Sequence, residues 1–272
     1  MALKNAVKQI KAEQEEDNFP SLDDMELDDT IKKIISIYGD KNDAKSSVMY
    51  SLMEYGDSCI VLSLDGKSKT PLDLPFIKNM ELKTKVVSPM IYYNKTTDEQ
   101  WLSSAVKTTK LINHVIDIIE PESVDWICID CTEILKEVAE ITMRAKYKIG
   151  VFGGVNIPYW KERSRIIDNI HTRAFKIAKK GVIYTFYPKT NNMLVKDGQV
   201  VDSKQTPNWI GNILRETDIS IHTKTDKDKS GEWRYFANIE GSKDLFFKEG
   251  EYDVTNKSLR DVLTVVNEIN NK

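Results

Sequence analysis

Apolar and polar residues alternate in two rhythms along this 272-residue chain, and the point where one rhythm gives way to the other organises the rest. Residues 34–54, IISIYGDKNDAKSSVMYSLME, begin as a short run of alternating apolar positions, reach Gly39 and continue with helical spacing. The change of period predicts a strand, a loop and a helix.

Further along, residues 57–65 (DSCIVLSLD) read as a second buried strand closing on an acid, and Val86 and Val87 mark a shorter one. Residues 98–120 carry apolar positions at Leu102, Val106, Leu111 and Val115, which predicts a helix. Residues 124–130 (VDWICID) form an apolar strand that ends on Asp130, and a helix is expected over 132–146. A glycine-bearing connection, 148–159, leads into a long basic helix over 160–180 and a strand over 181–188. The polar stretch 189–208 reads as a loop or hairpin. Residues 218–222 and 233–239 pair as a hairpin around the charged turn 224–231, and 258–270 closes as a helix. Strand and helix alternate, so a mostly parallel α/β sheet is expected.

The loop after the first strand carries the clearest chemistry. Gly39, Ala44, Lys45 and Ser46 match G-x-x-x-x-G-K-[ST] at every fixed position except the second glycine, which is Ala44. A loop entering a helix N-terminus turns backbone N–H groups toward one point and favours negative charge there. The candidate phosphate-binding residues are therefore Gly39, Asp40, Lys41, Asn42, Asp43, Ala44, Lys45, Ser46 and Ser47. Lys45 is placed to reach β- and γ-phosphates, and the Ser46 hydroxyl to ligate Mg2+. Asp130, at the C-terminal end of a buried strand, fits the acid that supports that metal, and it also fits an N-cap for the helix that follows.

A second window, residues 61–68 (VLSLDGKS), also ends in Gly-Lys-Ser. It lacks the opening glycine, and Pro71 and Pro75 are expected to keep a helix from starting behind it, so it is set aside.

Charge and cysteine content narrow the partners. The net charge of −3 is uneven: residues 1–30 hold nine acids against Lys4, Lys8 and Lys11, a net −6 that leaves the remainder near +3. That acidic segment, with isolated Phe19, Leu22, Met25 and Leu27, is expected to be flexible or to serve as a docking peptide that inserts Phe19 into a partner. Residues 31–272 are then one domain. Cys59, Cys128 and Cys131 are too few for a disulfide framework, and Cys128 and Cys131 lack a second pair for zinc, so core packing is expected. No apolar run approaches the ~18 residues of a membrane span and no signal-peptide pattern is present, which points to the cytoplasm.

In its order of parts the chain resembles the RecA-like P-loop ATPases of the RecA superfamily, over about residues 31–265, with RadA paralogues, KaiC-like proteins and virus-encoded RecA-fold ATPases nearest in flavour. The resemblance implies a doubly wound sheet with a C-terminal β-hairpin, ATP and Mg2+ as ligands, a homo-oligomer, and action on DNA in recombination, repair or replication. It places a water-polarising acid at Asp65 and implies DNA contacts through residues 150–158 and 189–207. It also suggests Lys243 as a cation offered to a neighbour's γ-phosphate. Two departures stand out. Ala44 adds a Cβ to the loop, and the strand ending Thr185-Phe186-Tyr187 has no amide or histidine to sense the γ-phosphate, unless Thr185 or Tyr187 substitutes. They support a second expectation: a nucleotide-binding regulator or scaffold with a degenerate site, which binds a recombinase, replication or viral protein.

Overall fold

The computed structural model describes residues 31–196, 199–207 and 211–270. In chain order the first half contains β1 (Lys33–Tyr38), α1 (Lys45–Ser51), β2 (Ser58–Ser63), α2 (Pro75–Lys78), β3 (Lys83–Val87), α3 (Asp98–Asp117), β4 (Val124–Asp130) and α4 (Thr132–Lys146). The second half contains α5 (Ile157–Ile177), β5 (Ala178–Phe186), β6 (Pro188–Lys196), β7 (Gln199–Pro207), α6 (Gly211–Glu216), β8 (Ile219–Lys227), β9 (Trp233–Ser242), β10 (Gly250–Asp253) and α7 (Leu259–Asn270).

Alternation along the central strands sorts side chains onto two apolar faces. Ile34 and Tyr38 of β1, Ile127 and Ile129 of β4, and Val182, Tyr184 and Phe186 of β5 join α3, α4 and α5 in one hydrophobic cluster. Ile35, Ile37, Cys128 and Ile183 face the other way and pack with Val48 and Met49 of α1 and Leu259 and Leu263 of α7. Strands apolar on both faces belong in the interior of a sheet covered by helices on each side. The order is β10-β9-β8-β1-β5-β4-β2-β3; the six strands from β8 to β3 run parallel, and β9 and β10 are antiparallel. The expected α/β architecture, a mostly parallel sheet between helices with a C-terminal antiparallel hairpin, is the one observed.

Register places the strand ends that matter. Tyr38 pairs with Phe186 on one side and His222 on the other, and Ile129 pairs with Leu62 and Tyr184. The C-terminal ends of β1, β5 and β4 therefore lie level, the crevice where open α/β sheets bind ligands.

Several boundaries differ from the sequence reading. Helix α5 begins at Ile157 and ends at Ile177, because Ala178, Lys179 and Lys180 open strand β5. Pro71 and Pro75 do not prevent helix formation: a 3₁₀ turn, Thr70–Asp73, and α2 each carry proline in the first turn, where its missing N–H costs no hydrogen bond. The hairpin strands β8 and β9 run longer than their apolar cores, so the turn lies at 228–232. Residues 188–196 and 199–207 form a separate two-stranded ribbon, β6–β7. The acidic segment 1–30 lies outside the described residues.

Candidate functional site

Gly39 ends β1 where no side chain fits. A Cβ there would lie 2.2 Å from the Thr223 hydroxyl and 2.5 Å from the Thr223 carbonyl oxygen on β8. The chain then turns back on itself. The Asp43 carboxylate accepts the Asp40 N–H at 2.7 Å and the Thr225 hydroxyl, which ties the loop to β8. Asn42 (φ 75°) and Ala44 (φ 57°, ψ 21°) both take left-handed backbone. Asparagine tolerates that region; alanine strains there by about 1 kcal/mol or more. The left-handed turn is what a glycine at the motif's second position would supply, and here the chain makes it without one. Replacing Ala44 by glycine should therefore raise the unfolding free energy by up to about 1 kcal/mol, read from urea midpoints. A midpoint that falls would show that the Cβ packs rather than strains.

Helix α1 starts at the next residue with no side-chain cap and no acid in its first turn. Lys45 is 8% exposed, and its Nζ donates to the carbonyl oxygens of Gly39 at 2.7 Å and Asp40 at 2.6 Å. The ammonium also sits 4.2 Å from the centre of the Tyr187 ring. Burial lowers the lysine's pKa from its ordinary value, against the pull of the nearby acids Asp43, Glu133 and Asp130.

Ser46 points toward β4. Its hydroxyl donates to Asp130 Oδ2 at 2.8 Å, and Ser68 donates to the same oxygen at 2.6 Å. Thr185 of β5 donates to Oδ1 and accepts the Cys131 N–H at 2.9 Å. Asp130 is 2% exposed, so a buried carboxylate is held by three hydroxyls from three separate segments. Sequence reading places Ser46 and Asp130 in this group. It misses Ser68, the serine of the window set aside above, and it leaves Thr185 as a possible sensor when its hydroxyl in fact serves Asp130.

Two further acids border the group. Asp65 accepts the Lys67 N–H at 2.9 Å and interacts with the Cys131 thiol. Glu133, in the first turn of α4, accepts the Tyr187 N–H at 3.3 Å through Oε2, while its buried Oε1 has no hydrogen-bond partner among the described residues. Burial raises its pKa. A buried acid whose one oxygen finds no partner among the described residues, beside the candidate cluster, is a signal that only three dimensions reveal.

Lys41–Ser47, Asp65, Asp130, Cys131 and Tyr187 line one cleft of about 480 Å3 together with Leu74, Phe76, Tyr235 and Val254. Lys243 is not part of it. It lies beyond the C-terminal end of β9, next to the start of β8, and pairs with Asp218 at 3.0 Å, whose other oxygen accepts the Ile34 N–H near the start of β1. That is the end of the sheet away from the loop. Cys128 and Cys131 are buried and face opposite sides of the sheet, as core residues do. Among the described residues no group of three histidines, cysteines or acids stands ready for a metal. The Ser46 hydroxyl and Asp130 carboxylate do match the sparse protein ligation that Mg2+ uses beside phosphates. No helix among the described residues is long and apolar enough to cross a membrane.

No family model matches the sequence, and no curated protein matches it. Among solved structures, the assembled ATPase EscN from the enteropathogenic E. coli type III secretion system is similar over 71% of this chain and 43% of that chain, with 14% identity and a TM-score of 0.37. So slight a likeness says nothing about what this chain does.

Proposed function

We propose that this chain binds ATP with Mg2+ in the cleft at the end of β1 and hydrolyses it. The observation that carries the reading is the convergence of Lys45, Ser46 and Asp130: a buried ammonium resting on the loop's own carbonyls, beside a hydroxyl 2.8 Å from a buried carboxylate. On binding, Lys45 exchanges the Gly39 and Asp40 carbonyls for β- and γ-phosphate oxygens, and Ser46 and Asp130 hold the metal. Mg2+ supplies charge neutralisation and orientation of the transferred phosphoryl group. Asp65, at the cleft, orients the attacking water. The test is phosphate release from Mg·ATP, with and without single-stranded DNA. Release that requires Mg2+ supports the reading; absence of nucleotide binding removes it.

The same proposal includes DNA as a partner, through residues 150–158. Arg144 holds this loop by donating to the carbonyls of Gly150 at 3.2 Å and Gly153 at 2.7 Å, while Phe152 between them is 83% exposed. The Tyr147–Tyr159 stack at 4.1 Å and the Arg163–Trp160 contact at 4.6 Å flank it, with Lys148 and Lys161 exposed nearby. An exposed aromatic on a held loop, with cations in the flanking sequence, suits stacked bases and a phosphate backbone. Phe152→Ala should weaken binding to a fluorescent oligonucleotide about fivefold or more, and binding should fall steeply with salt. Salt-independent binding, or none, would point to a protein partner instead. The ribbon at 189–207 is a second candidate contact. We further propose a homo-oligomer, tested by mass photometry with and without ATP.

One observation favours a second reading. Ala44 imposes strain in the loop, and a loop so built can bind nucleotide without turning it over. The chain is then a regulator or scaffold, with residues 1–30 as a docking segment for a recombinase, replication or viral protein. Tight ATP binding with no phosphate release, and a partner lost on deleting residues 1–30, would select it.

A further inference from the structure

Tyr187 joins β5 to β6 beside the loop that follows β1. The Gly39 N–H donates to the Phe186 carbonyl at 3.4 Å, so the Phe186–Tyr187 peptide runs next to the first residue of that loop. Glu133 accepts the Tyr187 N–H at 3.3 Å, and Pro188 confines the residue before it to extended backbone. With its backbone held in this way, Tyr187 lines the cleft together with Lys45 and Asp65. Its ring faces the Lys45 ammonium, 4.2 Å from the ring centre. An ammonium has three donors and no acceptor; here the Gly39 and Asp40 carbonyls receive it at 2.7 Å and 2.6 Å, and the negative face of the ring meets the same charge. Lys95 and Lys227 also lie over rings, but both are exposed, where such a contact adds little. Lys45 is 8% exposed, so its contact is made out of water, where it is strongest.

Resting on the reading that the cleft holds Mg·ATP, we infer that the face of the Tyr187 ring positions Lys45 for phosphoryl transfer. When a triphosphate enters, the ammonium exchanges the two loop carbonyls for phosphate oxygens, and the ring stays against it. A lysine carries its charge on a flexible four-carbon stem, so a fixed wall limits where that charge can go. Tyr187 therefore acts through Lys45, and it needs its ring for this rather than its hydroxyl. A partly buried aromatic at a strand end is ordinarily packing. What sets Tyr187 apart is that its ring meets a nearly inaccessible ammonium in the wall of the cleft.

The experiment follows phosphate release from Mg·ATP by the whole chain and its variants. Tyr187→Leu, apolar but without an aromatic face, should lower kcat about tenfold, the size expected of a desolvated cation–π contact. Tyr187→Phe, which keeps the ring and drops the hydroxyl, should recover at least about half of the wild-type rate. Tyr187→Met takes the place of Tyr187→Leu if a thermal melt shows that the leucine variant does not fold. The decisive comparison is a double-mutant cycle: in a Lys45→Met background, Tyr187→Leu should lower the residual rate no further. The same tenfold loss without Lys45 overturns the inference, because Tyr187 then acts by another route. An equal loss in Tyr187→Phe and Tyr187→Leu also overturns it, by giving the role to the hydroxyl. In both cases the nucleotide reading stands. If wild type binds Mg·ATP without turning it over, the same cycle is read from affinity. A wild type that does not bind Mg·ATP at all removes the nucleotide reading and this inference with it.

Discussion

Lys45→Ala is expected to lower ATP turnover at least about a hundredfold, the typical loss when one preorganised charge is removed from a developing transition state. The side chain is nearly inaccessible and its ammonium is already aimed at the loop. The other lysines that line the same cleft, Lys41, Lys67 and Lys257, are exposed. The loss should appear in binding as well as in rate, because the lysine meets phosphate in the ground state too. A thermal melt separates this from unfolding, and Lys45→Met, which keeps the apolar stem against Tyr187, guards against a packing artefact. Turnover unchanged in both variants would remove Lys45 from the site.

The second large effect belongs to Asp130. Its carboxylate is the common acceptor for Ser46, Ser68 and Thr185, and Thr185 in turn receives the Cys131 N–H. Asp130→Ala leaves three hydroxyls without their acceptor in a buried place, at about 1–3 kcal/mol for each that finds no other partner. Some will: Ser63 Oγ lies 2.6 Å from Ser68 Oγ and can accept its proton once the carboxylate is gone. A loss of about 3 kcal/mol in unfolding free energy is expected, together with loss of Mg2+-dependent turnover. Asp130→Asn preserves volume, so it should cost less stability while still abolishing turnover. If Asp130→Asn hydrolyses ATP normally, Asp130 is only a structural hub.

The local parts of the site are legible in the sequence, because each is written in a few consecutive residues. The change of period at Gly39 marks the loop, and an apolar strand closing on an acid marks Asp130. What the sequence hides is every contact that needs strand order. Ser68 sits 62 positions from Asp130 and Thr185 sits 55, and nothing local says that β5 runs between β1 and β4. That Lys243 lies away from its own chain's cleft is hidden for the same reason. The apolar pattern shows a hairpin but not its length, and the longer strands put the turn at the loop's end of the sheet and Lys243 at the other. The prolines at 71 and 75 were legible as breakers and act as helix starters, because position within the first turn decides which. Tyr235 and Phe76 carry no motif at all; only the cleft joins them to Lys45.

The most direct measurement is a crystal structure of the chain with Mg2+ and a non-hydrolysable ATP analogue. The account predicts the triphosphate cradled between Gly39 and Ser46, with Lys45 Nζ moved from the Gly39 and Asp40 carbonyls onto the β- and γ-phosphate oxygens and the metal beside Ser46 and Asp130. A nucleotide bound elsewhere, with Lys45 still resting on those carbonyls, would contradict it.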